Sequence, residues 1–101
     1  MKQQELLQYS NPNKVKQNLI KLFPNDKNLK LKPSTRKDKK YMAKGDFSID
    51  EWIHFGSFEP PMKDYTYHNN DNRRRRFRQR NKKWATMPKD TPAYLSYWLL
   101  W

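Results

Sequence analysis

Cysteine is absent from this 101-residue chain, glycine occurs only at Gly45 and Gly56, and histidine only at His54 and His68. The first absence excludes a disulfide framework and a thiolate metal site. Two glycines cannot build a glycine-rich loop that cradles phosphate, and two histidines are a poor basis for a zinc site. Acid is scarce as well: 10 Asp and Glu stand against 22 Lys and Arg, a net charge of +12. That surplus is unlike the balanced surface of an ordinary soluble enzyme and makes polyanions the default partners. No apolar run approaches the ~20 residues that cross a bilayer. The opening MKQQELLQYSN has no apolar stretch of the kind a secretory leader carries. The expectation is a protein of a reducing, aqueous compartment, or of a particle assembled there, with no membrane span and no cofactor.

What is present is concentrated. Eight of the eleven residues from Arg73 to Lys83 are Arg73, Arg74, Arg75, Arg76, Arg78, Arg80, Lys82 and Lys83. Phe77 and Trp84 flank the middle of this run, two helical turns apart. Read as one helix, Arg73, Phe77, Arg80 and Trp84 descend a single face, and Asn70 or Asp71 caps the first turn. Arginines at i, i+3 and i+4 repel one another, so the segment is best satisfied by an external polyanion. Arginine also pairs bidentately with phosphate and stacks on rings, which a lysine run does not match. A solvated charged face is the plainer reading of any charge run. This density, pinned by two aromatics, favours nucleic acid.

The rest of the chain reads as the frame for that helix. Val15, Leu19, Leu22 and Phe23 form an apolar stripe in a short amphipathic helix that Asn11 or Asn13 starts and Pro24 stops. Leu29 and Leu31 alternate with lysine in a brief strand before a Pro33-Ser34-Thr35 turn. A second basic cluster follows at Arg36, Lys37, Lys39 and Lys40. Tyr41 to Phe58 reads as a β-hairpin turning near Lys44-Gly45-Asp46, with Glu51-Trp52-Ile53-His54-Phe55 returning. The acids Asp46, Asp50, Glu51, Glu59 and Asp64 gather in this middle third and are expected to pair with basic residues of the same domain. The last nine residues, AYLSYWLLW, are the most apolar segment, and are expected to fold back as a helix on Phe77, Trp84 and the hairpin. An exposed anchor docking on a partner is the alternative.

Despite its 35% hydrophobic content, the chain holds 4 Trp, 6 Tyr and 5 Phe, which argues for a small core of rings rather than disorder. The expected fold is α+β: one small domain from residue 34 to 101, with a β-hairpin packed on the basic helix and an aromatic C-terminal helix. An N-terminal arm, residues 1–33, carries the short amphipathic helix.

Ser34-Thr35-Arg36-Lys37 with Lys39-Lys40-Tyr41-Met42, then His54-Phe55-Gly56, Asp64-Tyr65-Thr66 with His68, Arg76-Phe77 and Arg80, closing on Tyr97-Trp98-Leu99-Leu100-Trp101, resembles a family of small basic proteins. They are encoded by large DNA viruses of algae and amoebae and by some tailed phages. The resemblance covers about Lys32 to Trp101. It departs at Phe77, where a tyrosine is common, and in a longer excursion between Met42 and Trp52. It implies a viral source and a place in the virion, with host cytoplasm or nucleus as the site of assembly.

Together these lines give one leading expectation: a non-enzymatic protein that binds nucleic acid, with DNA as the expected form, without reading its sequence. The contacts would come from Arg73–Arg76, Arg78, Arg80, Lys82 and Lys83, aided by Arg36, Lys37, Lys39 and Lys40. The alternative is a minor capsid or cement protein whose N-terminal arm and apolar C-terminus dock between shell subunits while its arginines meet acidic capsid faces. A nuclease using His54, Asp64, His68 and Asp71 is a third reading. It lacks a recognised motif, and both histidines have structural readings, His54 bonding across the hairpin and His68 orienting the basic helix.

Overall fold

The computed structural model describes residues 2–101, leaving Met1 and the side chains of Lys2 and Gln3 aside. Five helices surround a three-stranded antiparallel sheet, so the architecture is α+β, as expected. Helix α1 (Lys2–Leu6) and helix α2 (Pro12–Leu22) come first. The Asn11 side chain accepts from the Asn13 and Lys14 backbone N–H groups, and Pro12 occupies the first turn, where its missing donor costs nothing. Strands β1 (Lys30–Pro33), β2 (Lys39–Lys44) and β3 (Ile53–Ser57) form a meander in the order β1-β2-β3. Its register pairs Lys32 with Met42, Tyr41 with Phe55, and Ala43 with Ile53.

The hairpin lies where the sequence puts it, with a short 3-10 turn at Asp46–Ser48 in its connection. Of the two leucines expected in a strand, Leu31 lies in β1, an edge of the sheet, and Leu29 just precedes it. The described part of the 1–33 arm therefore joins the same body as the rest: Leu6, Val15, Leu19 and Phe23 are buried with Tyr41, Ala43, Phe55, Leu95, Leu99 and Leu100. Each fully buried aliphatic side chain of this set contributes about 1.5–3 kcal/mol.

Helix α3 (Tyr65–His68) is capped by Asp64, and helix α4 (Asp71–Arg80) by Asn70, whose side chain accepts from the Arg73 N–H. The basic helix is shorter than its sequence suggests. Asn81 ends it by donating both its backbone N–H and its side-chain amide to the Phe77 carbonyl, each at 3.0 Å. Lys82–Thr86 then tightens into a 3-10 turn. An Asn that bonds the backbone locally competes with helix propagation. Lys82, Lys83 and Trp84 thus leave the helix, but the Trp84 ring still meets Phe77 edge to face, with centroids 5.8 Å apart.

The chain closes with helix α5 (Pro92–Leu95), capped by Thr91 and continuing as one π-helical turn over Ser96–Leu100. It folds back on the body. Leu99, Leu100 and Trp101 are buried, and Trp101 stacks flat on Phe77 at 4.3 Å and 7°. Gly56 makes the approach possible. Its φ is +81°, and a Cβ there would lie 2.8 Å from the Leu100 Cδ1 and 3.2 Å from the Lys40 Cβ. Its N–H donates to the Ser96 hydroxyl, tying β3 to the C-terminal turn.

Candidate nucleic-acid interface

Helix α4 divides its arginines between two tasks. Arg74 and Arg78, four residues apart, point at the C-terminal segment: both Nε–H groups donate to the Trp101 backbone oxygen, at 2.6 and 3.0 Å. Arg74 lies over the Tyr65 ring at 4.7 Å, and Arg78 over Tyr97 at 4.9 Å and Trp98 at 5.4 Å. Burial, then the neighbouring Arg74 charge, holds the Arg78 guanidinium below its usual range. These two arginines are structural clamps first.

Arg73, Arg76 and Arg80 take the other face. With Phe77, Gln79, Met62 and Trp101 they line an open cleft of about 260 Å³. From Arg73 to Arg80 the helix advances about 10 Å, the rise of roughly three nucleotides along one strand of B-DNA. Among the described residues, no arginine of α4 pairs with an Asp or Glu carboxylate within 4 Å: the three such pairs present are Lys37–Glu59, Lys40–Asp64 and Lys44–Asp50. Of the acids of the middle third, Asp50, Glu59 and Asp64 pair with lysines, and on the helix Arg75, Arg76 and Arg80 stay exposed. Arg75 is exposed on the outer side of the helix, and Lys82 and Lys83 are exposed on the turn that follows it.

The second basic cluster is not one patch. Lys39 borders a cleft that continues from the first, while Arg36 and Lys37 stand exposed in the β1–β2 turn, Lys37 pairing at 3.8 Å with Glu59. Lys40 was expected among the phosphate contacts, and the structure corrects this. Its side chain is 3% exposed and its ammonium sits 3.0 Å from the fully buried Asp64 carboxylate, also donating to the Met62 carbonyl. Strand β2 is buried at four consecutive positions, Lys40 to Ala43, so the lysine lies inside the sheet's cover. Burial lowers the Lys40 pKa, and the Asp64 charge opposes that shift.

That pair anchors a buried polar network. Asp64 accepts from the Thr66 N–H at 3.0 Å and from the Thr66 hydroxyl. Thr66 meets Ser10 at 3.1 Å, and Tyr41 donates to Ser10 at 2.7 Å. Burial pushes the Tyr41 phenol well above its ordinary range. Nothing in the local sequence announces this network. Lys40 reads as the end of a charge run and Asp64 as a loop acid, 24 residues apart.

The acids and histidines of the nuclease reading are dispersed into structural bonds. His54 Nδ1 lies 2.6 Å from the Ser34 hydroxyl, His68 Nδ1 accepts from the Asn70 N–H at 2.9 Å, and Asp71 accepts from the Tyr65 hydroxyl at 2.7 Å. That last bond raises the Tyr65 pKa. Among the described residues no three His, Asp or Glu side chains gather as a metal site would require, and no helix is long and apolar enough to cross a membrane.

The molecule is thus a small α+β domain with a row of unpaired arginines beside an aromatic stack. Residues 29–81 match a family of unknown function, DUF5754, and the chain belongs to that family. The matched span takes in the whole sheet, the Lys40–Asp64 pair and helix α4. No curated protein and no solved structure gives a significant match.

Proposed function

We propose that this is a non-enzymatic, virion-associated protein that binds nucleic acid, with DNA as the expected form, largely independently of sequence. The observation that carries the binding is the row of Arg73, Arg76 and Arg80: three cations on one face, without internal ion pairs, beside the Phe77–Trp101 stack, in a chain of net charge +12. Phosphate contacts from such a row position a protein without reading bases. Arg75, Lys39, Lys82 and Lys83 extend the cationic surface. The place in the virion rests on the sequence resemblance. A shell-docking role for the apolar C-terminus draws no support from a segment whose Leu99, Leu100 and Trp101 are buried in the domain.

The test is binding to a labelled random-sequence duplex across a salt series. Each phosphate neutralised contributes about −0.9 to the slope of log affinity against log salt on duplex DNA. Replacing Arg73, Arg76 and Arg80 together with alanine is expected to make the slope shallower by about 3 and to weaken binding at low salt. Arg74 is left intact because it clamps Trp101. Feeble binding by the unaltered protein to this duplex and to a single strand alike at near-physiological salt, or an unchanged slope in the triple variant, overturns the assignment.

A further inference from the structure

Behind the arginine row lies a second cleft of about 330 Å³, sharing Met62, Phe77 and Trp101 with the first. Its walls differ from those of its neighbour. Trp84, Ala93 and Leu100 make it largely apolar, while Lys39, Lys40, Ser57 and Ser96 supply its polar groups. No Asp or Glu among the described residues lines either cleft. The volume falls at the lower end of the range for small-ligand sites, roughly 300–1,000 Å³. The two clefts together put three guanidinium groups next to an apolar, ring-walled recess, with the aromatic stack common to both.

This juxtaposition suits one kind of polyanion better than others. A strand whose phosphates lie along Arg73, Arg76 and Arg80 carries its bases only a sugar's width away, within reach of the recess. In a duplex those bases are paired and turned inward, so the recess stays empty. In a single strand they turn outward and stack on aromatic side chains, a contact that tolerates any base because every base has a π face. A phosphate-rich but baseless polyanion would use the row and leave the recess unused. We propose that the inner cleft takes up an unpaired nucleobase, so that single-stranded nucleic acid is the preferred form of the polyanion this protein binds. The inference rests on the nucleic-acid reading above and specifies its ligand.

The experiment compares three probes on the full chain across one salt series: a short single strand, the same strand with its central bases removed to abasic sites, and a duplex of the same sequence. The abasic strand keeps the phosphates and loses what the recess would hold. The base-bearing strand is expected to bind roughly 5- to 150-fold more tightly than the abasic one, the range expected for one stacked base, with equal salt slopes. Ala93→Phe, which fills the recess, is expected to erase that difference and leave the slope intact. Trp84→Ala should reduce it in the same way if Ala93→Phe fails to give a native melting transition. Equal affinity for base-bearing and abasic strands with a steep slope overturns the base pocket and leaves the phosphate row standing. A difference that survives in both folded variants overturns its location. Absence of binding to all three probes removes the nucleic-acid reading and this inference with it.

Discussion

Lys40 and Arg76 each stand in a dense basic cluster, and along the chain the two clusters look alike. In the fold Lys40 is buried against Asp64, whereas Arg76 lines an open cleft without an ion-pair partner among the described residues. Removing an ammonium from water costs several kcal/mol, so Lys40 is tolerable only because Asp64 and the Met62 carbonyl replace its hydration. Arg76 keeps its water and has nothing to offset its neighbours' repulsion. One cluster has been drawn into the structure and the other left over from it. A charge that the fold has already neutralised belongs to stability; one left unneutralised is available to a partner.

The largest effect is expected inside. Asp64→Ala leaves Lys40 buried and uncompensated and frees Thr66 from its partner, so chemical denaturation should show a loss of about 3 to 5 kcal/mol. The double change Lys40→Met with Asp64→Leu removes both charges at similar volume and should recover most of that loss. If the double variant is as unstable as Asp64→Ala alone, Lys40 and Asp64 do not act as a unit. The arginine row should behave in the opposite way. Replacing Arg73, Arg76 and Arg80 with alanine is expected to leave stability unchanged or to raise it by a few tenths of a kcal/mol, because like-charge pairs at i+3 and i+4 disappear. A substantial loss of stability would mean that the row packs rather than binds.

His68 sits between these two worlds and gives the comparison a pH axis. Burial, then the nearby Arg73 charge, holds its pKa below the ordinary 6.5, and its Nδ1 accepts the Asn70 N–H at the start of α4. Protonation would cost that hydrogen bond. The unfolded chain takes up the proton first, so stability is full above pH 6.5 and declines as the pH falls from there toward the lower folded value. Urea titrations at pH 7 and pH 5 should show the decline, and His68→Gln should remove the part due to this ring. The smallest effect belongs to Lys37. Its pair with Glu59 is solvent-exposed at 3.8 Å, and Lys37→Ala should change stability by less than about 0.5 kcal/mol.

Much of this architecture was legible in the chain. The caps at Asn11 and Asn70, the stripe of Val15 and Leu19, the hairpin, and the return of the apolar C-terminus onto Phe77 follow from spacing and side-chain chemistry. The end of α4 is not legible in the chain, because an arginine run carries no stop signal of its own and Asn81 acts as one only once its amide finds the Phe77 carbonyl. The burial of Lys40 is hidden for a related reason. Local sequence shows a lysine among lysines and says nothing of a carboxylate that arrives from beyond the hairpin. The duties of Arg74 and Arg78 depend on a carbonyl oxygen 27 and 23 residues away.

Composition and local spacing settle the charge surplus, the absence of thiol chemistry, the α+β pattern and the place of the basic helix, because these depend on residue type and on neighbours a few positions apart. Only the folded chain decides which cations are neutralised within, which clamp the C-terminal segment, and which three remain beside an apolar recess. That sorting depends on burial and on partners distant in sequence, since a charge is stable inside a protein only where another segment brings it a counter-charge.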